Sequence, residues 1–186
     1  MARPPSSCLV ALALLAAGCI GDQLQPFTAA ERTGLVVSAD SITHPTLGFS
    51  APNPQGAYSR SPELQRRVDS SFAGHNEMAV WALTGAGGGN VIIQATKFSR
   101  LTEDLFRAYI RGFRREAVRQ ADAVLEDTVT WSTRGEYRLE IRVQRAFLRT
   151  RCLSRGGTNN VIVCLQAAAV DSTGIGEVPA GLTLAE

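Results

Sequence analysis

The feature that most constrains this chain is a pair of cysteines placed symmetrically about a turn. Cys152 closes the run Arg145 to Cys152, Cys164 lies within the apolar run Val161 to Ala169, and between them stands Gly156-Gly157-Thr158-Asn159-Asn160. Both runs read as strands. Gly and Asn are the residue types that accept the left-handed backbone of a tight hairpin loop. If Cys152 faces Cys164 in antiparallel register, paired residue numbers sum to 316 and Gly156 stands opposite Asn160, leaving a three-residue loop. The register decides which side chains share a face, because a slip of one residue would turn every one of them over.

Further strands are expected on the same grounds. From Glu136 to Val143, Tyr137, Leu139, Ile141 and Val143 alternate with Arg138, Glu140 and Arg142, the period of a strand with one face in water. Thr128 to Ser132 precedes it as another short strand. Met78 to Leu83 and Asn90 to Ala95 are apolar, β-branched or aromatic runs separated by Thr84-Gly85-Ala86-Gly87-Gly88-Gly89, read as two antiparallel strands joined by a glycine-rich turn. A phosphate-binding loop would need Lys-Ser/Thr and a helix after the glycines, whereas Asn90-Val91-Ile92-Ile93 continues as strand. Leu35-Val36-Val37 and Thr46 to Ala51 are also expected to be strands, the second ending at Pro52-Asn53-Pro54-Gln55-Gly56.

Thr102 to Asp127 reads as one long amphipathic helix. Thr102 caps it, Glu103 and Asp104 suit its positive end, and Phe106, Ile110, Phe113, Ala117, Ala121 and Val124 form a stripe at spacings of three and four. Arg107, Arg111, Arg115 and Arg119 follow one another at intervals of four on the other side, with Arg114 beside them. Such a row is either a solvated helix face or a partner surface for acidic lipid headgroups, an anionic polymer or an acidic protein. Glu126 and Asp127 would stand at the negative end of this helix.

The first residues carry Arg3 and then an apolar run from Cys8 to Ala17, too short to cross a bilayer and of the length of a signal-peptide core. Leu14-Leu15-Ala16-Ala17-Gly18-Cys19 resembles a bacterial lipobox, although Ala16 stands where Leu is usual; Ala16-Ala17-Gly18 also suits ordinary signal peptidase. The resemblance implies cleavage after Gly18 and a diacylglyceryl group on Cys19, usually with an N-acyl chain such as palmitate. Cysteine parity agrees with it, because Cys8 would leave with the signal and lipidated Cys19 would leave Cys152 and Cys164 as an even pair. In an exported protein those two are expected to form a structural disulfide across the hairpin rather than a redox pair. Ile20 rather than Asp after the cysteine favours the outer membrane in a Gram-negative source.

No catalytic pattern emerges. Gly-x-Ser-x-Gly is absent, and His44 and His75, the only histidines, lie far from each other and from the cysteines in sequence, so no metal or cofactor is expected. A formal net charge of +2 gives little whole-chain attraction for polyanions, and nucleic acid is not an expected partner.

The element order, with Thr46-Leu47-Gly48-Phe49-Ser50-Ala51-Pro52-Asn53-Pro54 near its start, resembles the PsbP-like superfamily over residues 35–170. The tryptophan often found after that turn is replaced by Tyr58 nearby. The resemblance implies an α+β fold, an antiparallel sheet flanked by one long helix and shorter helices in an α/β/α sandwich, within a family of mostly non-enzymatic accessory proteins. The expected organisation is a signal peptide over 1–18, a lipidated tether over 19–33, a single domain over 34–170 and a flexible tail over 171–186. The expected function is a lipid-anchored envelope protein that is not an enzyme. It would act as a binding or scaffold module in a membrane-associated assembly, with the membrane and another envelope protein as partners. A carrier of a small apolar ligand is the alternative, and an enzyme without a recognisable motif the third reading.

Overall fold

A computed structural model describes residues 21–85, 88–157, 160–169 and 177–185. The expected signal segment, Cys19 and residues 170–176 lie outside these. In chain order the elements are β1 (Leu24–Gln25), α1 (Ala29–Thr33), β2 (Val36–Val37), β3 (Ser41–His44), β4 (Phe49–Pro52), β5 (Tyr58–Arg60), α2 (Pro62–Ser71), β6 (Met78–Gly85), β7 (Asn90–Phe98), α3 (Glu103–Arg119), β8 (Ala123–Trp131), β9 (Gly135–Val143), β10 (Ala146–Arg155), β11 (Asn160–Ala169), α4 (Glu177–Ala180) and β12 (Thr183–Leu184).

The strands form two antiparallel sheets. The larger, of eight strands, runs β5-β6-β7-β11-β10-β9-β8 with β1 added beside β7; the smaller, of four, runs β12-β4-β3-β2. The protein is therefore mostly β, and the expected α+β sandwich with PsbP-like α/β/α layering is corrected: one face of the large sheet is covered chiefly by a second sheet. Ile42, Phe49 and Ala51 of the small sheet pack with Trp81, Leu83, Val91, Ile93, Val163 and Leu165 of the large one. On the opposite face lie α2, through Val68 against Ala82 and Ile92, and α3, through Phe106, Tyr109, Ile110, Phe113 and Ala117.

The long helix expected to run to Asp127 ends at Arg119. Gln120 caps it by donating its N–H to Ala117 and Val118 carbonyls, and the Asp122 N–H donates 2.8 Å to the Arg142 carbonyl, which starts the pairing of β8 with β9. Ala121 and Val124 continue the helical spacing by coincidence. The β-branched Thr128, Val129 and Thr130 pair across to Arg138, Tyr137 and Glu136 instead. Glu126 and Asp127 thus stand on a strand, away from any helix end.

In the β10–β11 hairpin Cys152 pairs with Cys164 at a Cα separation of 4.0 Å, and their sulfurs are bonded. The bond is fully enclosed between the sheet and α3.

Two segments expected to lie outside the folded body, 24–33 and 177–185, pack against it. Residues 24–33, expected within a tether, are ordered: Leu24 pairs with Phe98, Phe27 is buried, and Thr28 and Glu31 form a reciprocal capping box at the start of α1. Lys97 donates to Glu31 at 2.8 Å, and Arg32 donates to the carbonyls of Met78 at 2.9 Å and Asn76 at 2.7 Å. Within the expected flexible tail, Val178, Leu182 and Leu184 are buried, and β12 completes the small sheet through Thr183 opposite Ser50 and Leu184 opposite Phe49. Residues 24–25 thus join the large sheet beside β7, and residues 183–184 close the small sheet beside β4.

Candidate functional site

The arginine row is carried by α3, whose inner side fixes its attitude. Phe98 meets Tyr109 edge-on, and Phe113 meets Tyr137 edge-on. Between these rings the buried Gln94 side chain donates 2.9 Å to the Tyr109 hydroxyl, which also lies 3.2 Å from the Thr96 hydroxyl. Burial pushes the Tyr109 phenol up to about 12, so it stays a neutral hydrogen-bonding group. With these side chains filling the space under α3, its other side is left to the solvent.

On that outer side the arginines divide into two sets. Arg107 donates 2.7 Å to Glu103, Arg119 donates 2.5 Å to Glu116, and Arg114 pairs with Asp127 of β8. Arg111 and Arg115 are exposed and, among the described residues, have no carboxylate partner. Of the expected partner surface of Arg107, Arg111, Arg115 and Arg119, two members are therefore tied to neighbouring acids and two are open. The Arg114–Asp127 pair was hidden from sequence reasoning because Asp127 was assigned to the same helix. The Asp127 charge and, above all, burial raise the Tyr137 phenol well beyond its ordinary range, so it too stays protonated beneath this pair.

A second surface adjoins the first. β8 is an outer strand of the large sheet, and among the described residues nothing pairs with its free edge. Its Val124 and Leu125 are 44% and 54% exposed, at a bulge between Val124 and Glu126. The outer face of the neighbouring strands is polar and internally matched: Glu136 accepts from Arg138 and Arg151, each at 2.8 Å, and Glu140 accepts from Arg149 at 2.6 Å. Burial alone would raise the Glu136 carboxyl, but the two guanidiniums outweigh it and hold it below the usual carboxylate value.

Other sequence-derived candidates are dispersed. His44 is enclosed, with Nε2 2.6 Å from the Glu31 carbonyl and Nδ1 accepting the Leu47 N–H at 3.2 Å; His75 lies 2.9 Å from Glu77. Cys19 lies outside the described residues, and Cys152 and Cys164 are committed to each other beneath α3. A depression beside α2 is lined by Glu63, Arg66, Arg67 and Ser70 and is open to solvent, unlike the enclosed apolar pocket a small apolar ligand would need.

The first described residues approach this region directly. The Ser99 N–H donates 2.7 Å to the Gln23 carbonyl, and the Ser99 hydroxyl donates 2.8 Å to the Gln23 side chain, so the incoming chain is bound just ahead of the Thr102 cap of α3.

No protein-family model and no curated protein matches the chain.

Proposed function

We propose that this chain is a lipid-anchored cell-envelope protein, held by a diacylglyceryl group on Cys19 with the outer membrane favoured, that works as a non-enzymatic binding or scaffold module through contacts with another envelope protein. The observation that carries this reading is the exposed Val124–Leu125 strip on the free edge of β8, flanked by the Arg114–Asp127 pair. Isolated exposed apolar residues are ordinary. Two adjacent ones on an unpaired strand edge offer a partner both apolar area and backbone hydrogen-bonding groups. The signal-like N-terminal sequence supports an envelope location, and a small-ligand carrier is disfavoured because the aromatic rings of α3 fill the space against the sheet.

Two measurements test the proposal. Mass spectrometry of the N-terminal peptide from membrane-purified protein should find diacylglyceryl-modified Cys19, and an unmodified cysteine removes the anchor. Crosslinking in cells followed by purification should recover a partner that Leu125→Asp loses. Unchanged recovery removes the β8 strip from the reading.

A further inference from the structure

We propose that the outer side of α3 lies against the bilayer, where Arg111 and Arg115, with Arg114 and Arg119 beside them, meet anionic lipid headgroups. The geometric half of this inference rests on anchoring at Cys19; the charge half stands without it.

The path of the chain supplies the geometry. Gly21 is two residues from Cys19, a reach of at most about 7 Å for an extended chain. Gln23 is already bound to Ser99, three residues before the Thr102 cap. However the intervening residues turn, the surface around Ser99 and the start of α3 stays close to the anchored cysteine. From there α3 runs for 17 residues, or about 25 Å at the helical rise.

Two attitudes satisfy this tether. End-on, the domain would press Asp22, Glu103 and Asp104, offset in part by the exposed Arg100, toward the headgroups; lying on α3, it presents the five arginines between Arg107 and Arg119 against Glu116 and Asp127, a positive excess. An anionic surface repels the first arrangement and attracts the second. Among those arginines, Arg111 and Arg115 keep their full complement of donors for phosphate, because no carboxylate among the described residues occupies them. The attitude also turns the ion-paired face of β9 and β10, on the far side of the sheet from α3, away from the membrane.

The test uses the full-length protein, expressed in a bacterial host and purified from its membranes. It is inserted into vesicles of phosphatidylcholine, with or without phosphatidylglycerol, that contain a nickel-chelating lipid as a headgroup-level quencher. A fluorophore is placed at Gly112→Cys, where an added side chain meets open space on α3, or at the exposed Arg138→Cys on the opposite face of the sheet. With phosphatidylglycerol present, quenching at position 112 should exceed that at 138. The contrast should fade in pure phosphatidylcholine, at high salt, and in Arg111→Glu/Arg115→Glu. Equal quenching at both positions, or a contrast that survives the charge reversal, overturns the proposal. Loss of a crosslinked acidic protein with the contrast unchanged also overturns it and assigns this side of α3 to that protein.

The anchoring reading fails separately. If Cys19 proves unmodified, the same chain should still float with phosphatidylglycerol vesicles and not with phosphatidylcholine alone. Loss of the two positive charges should weaken this partitioning about 25-fold, near fivefold for each arginine. Absence of flotation overturns the arginine surface, whereas flotation with an unmodified Cys19 supports it and removes only the anchor.

Discussion

Strands β7 and β9 belong to one sheet but live in different surroundings. β7, with its neighbours β6 and β11, is covered on one face by the helices and on the other by the small sheet, and its residues from Val91 to Thr96 are buried without interruption. β9 is covered on one face only: Tyr137, Leu139 and Ile141 are buried under α3, while Glu136, Arg138, Glu140 and Arg142 form a polar outer face. The first region draws its cohesion from apolar burial on both sides. The second adds a lattice of surface ion pairs, each of which contributes little in water. The β8 edge and the outer side of α3 adjoin the second region, where one face of the sheet is left to solvent.

The sharpest way to break this contrast is a matched pair of truncations. Ile93→Ala, at a fully enclosed position of β7, should cost about 2–5 kcal/mol in chemical denaturation. Arg138→Ala on the outer face of β9 should cost less than about 0.5 kcal/mol. Similar losses at the two sites would remove the distinction.

The disulfide lies where the two regions meet. Cys152→Ser/Cys164→Ser should lower stability by up to about 3 kcal/mol, with unchanged chemical shifts in the small sheet. Collapse of both sheets together would show that the regions do not differ in their dependence on it. Gly135→Ala probes the covered face of β9, since its added carbon would stand 2.5 Å from the Phe106 ring. A loss of about 1–3 kcal/mol is expected as the ring and α3 shift, with the mutation visible at Trp131 by fluorescence because Trp131 packs on Phe106.

The smallest effect is on acid stability. Burial opposes ionisation of both Glu136 and Glu31. Arg138 and Arg151 in one case, and Lys97 and Thr28 in the other, reverse the balance and depress both carboxyls. A depressed folded-state pKa contributes stability above the ordinary glutamate value near about 4.3, and that contribution is lost as pH falls through the folded value. Stability should therefore decline on acidification below that point. Glu136→Gln should flatten only part of the decline, since Glu31 in the two-sided region retains its share. A fully pH-independent denaturation midpoint across this window would refute the assignment.

How much of this was legible depended on how far apart the cooperating residues lie. The alternation in Tyr137 to Val143 announced a one-sided strand, and the apolar runs from Met78 and Asn90 announced strands without revealing that two layers would cover them. α2 carries a local signal that sequence reading passed over: Ser61 caps it, Pro62 begins it and Glu63 stands in its first turn. β3 and β12 offer only four and two residues, too few for a period to register. At the candidate surface the arginine spacing on α3 was readable, whereas the Arg114–Asp127 bridge and the free β8 edge were not. Both exist only because the helix stops at Arg119 and the chain turns back along β9.

What the sequence alone determined is local: the Thr102 cap that starts α3, the alternating face of β9, and the turn residues that let β10 and β11 meet with Cys152 opposite Cys164. Period and turn chemistry act over a few residues, so their outcome is written in the same few residues. Only the tertiary structure decided that residues 36–52 and 183–184 would build a second sheet, that the helical spacing past Arg119 would yield to strand pairing, and that Gln23 would bind Ser99 just ahead of the α3 cap. Those outcomes follow from burial and pairing between segments far apart in the chain, where the favourable energy belongs to neither segment by itself.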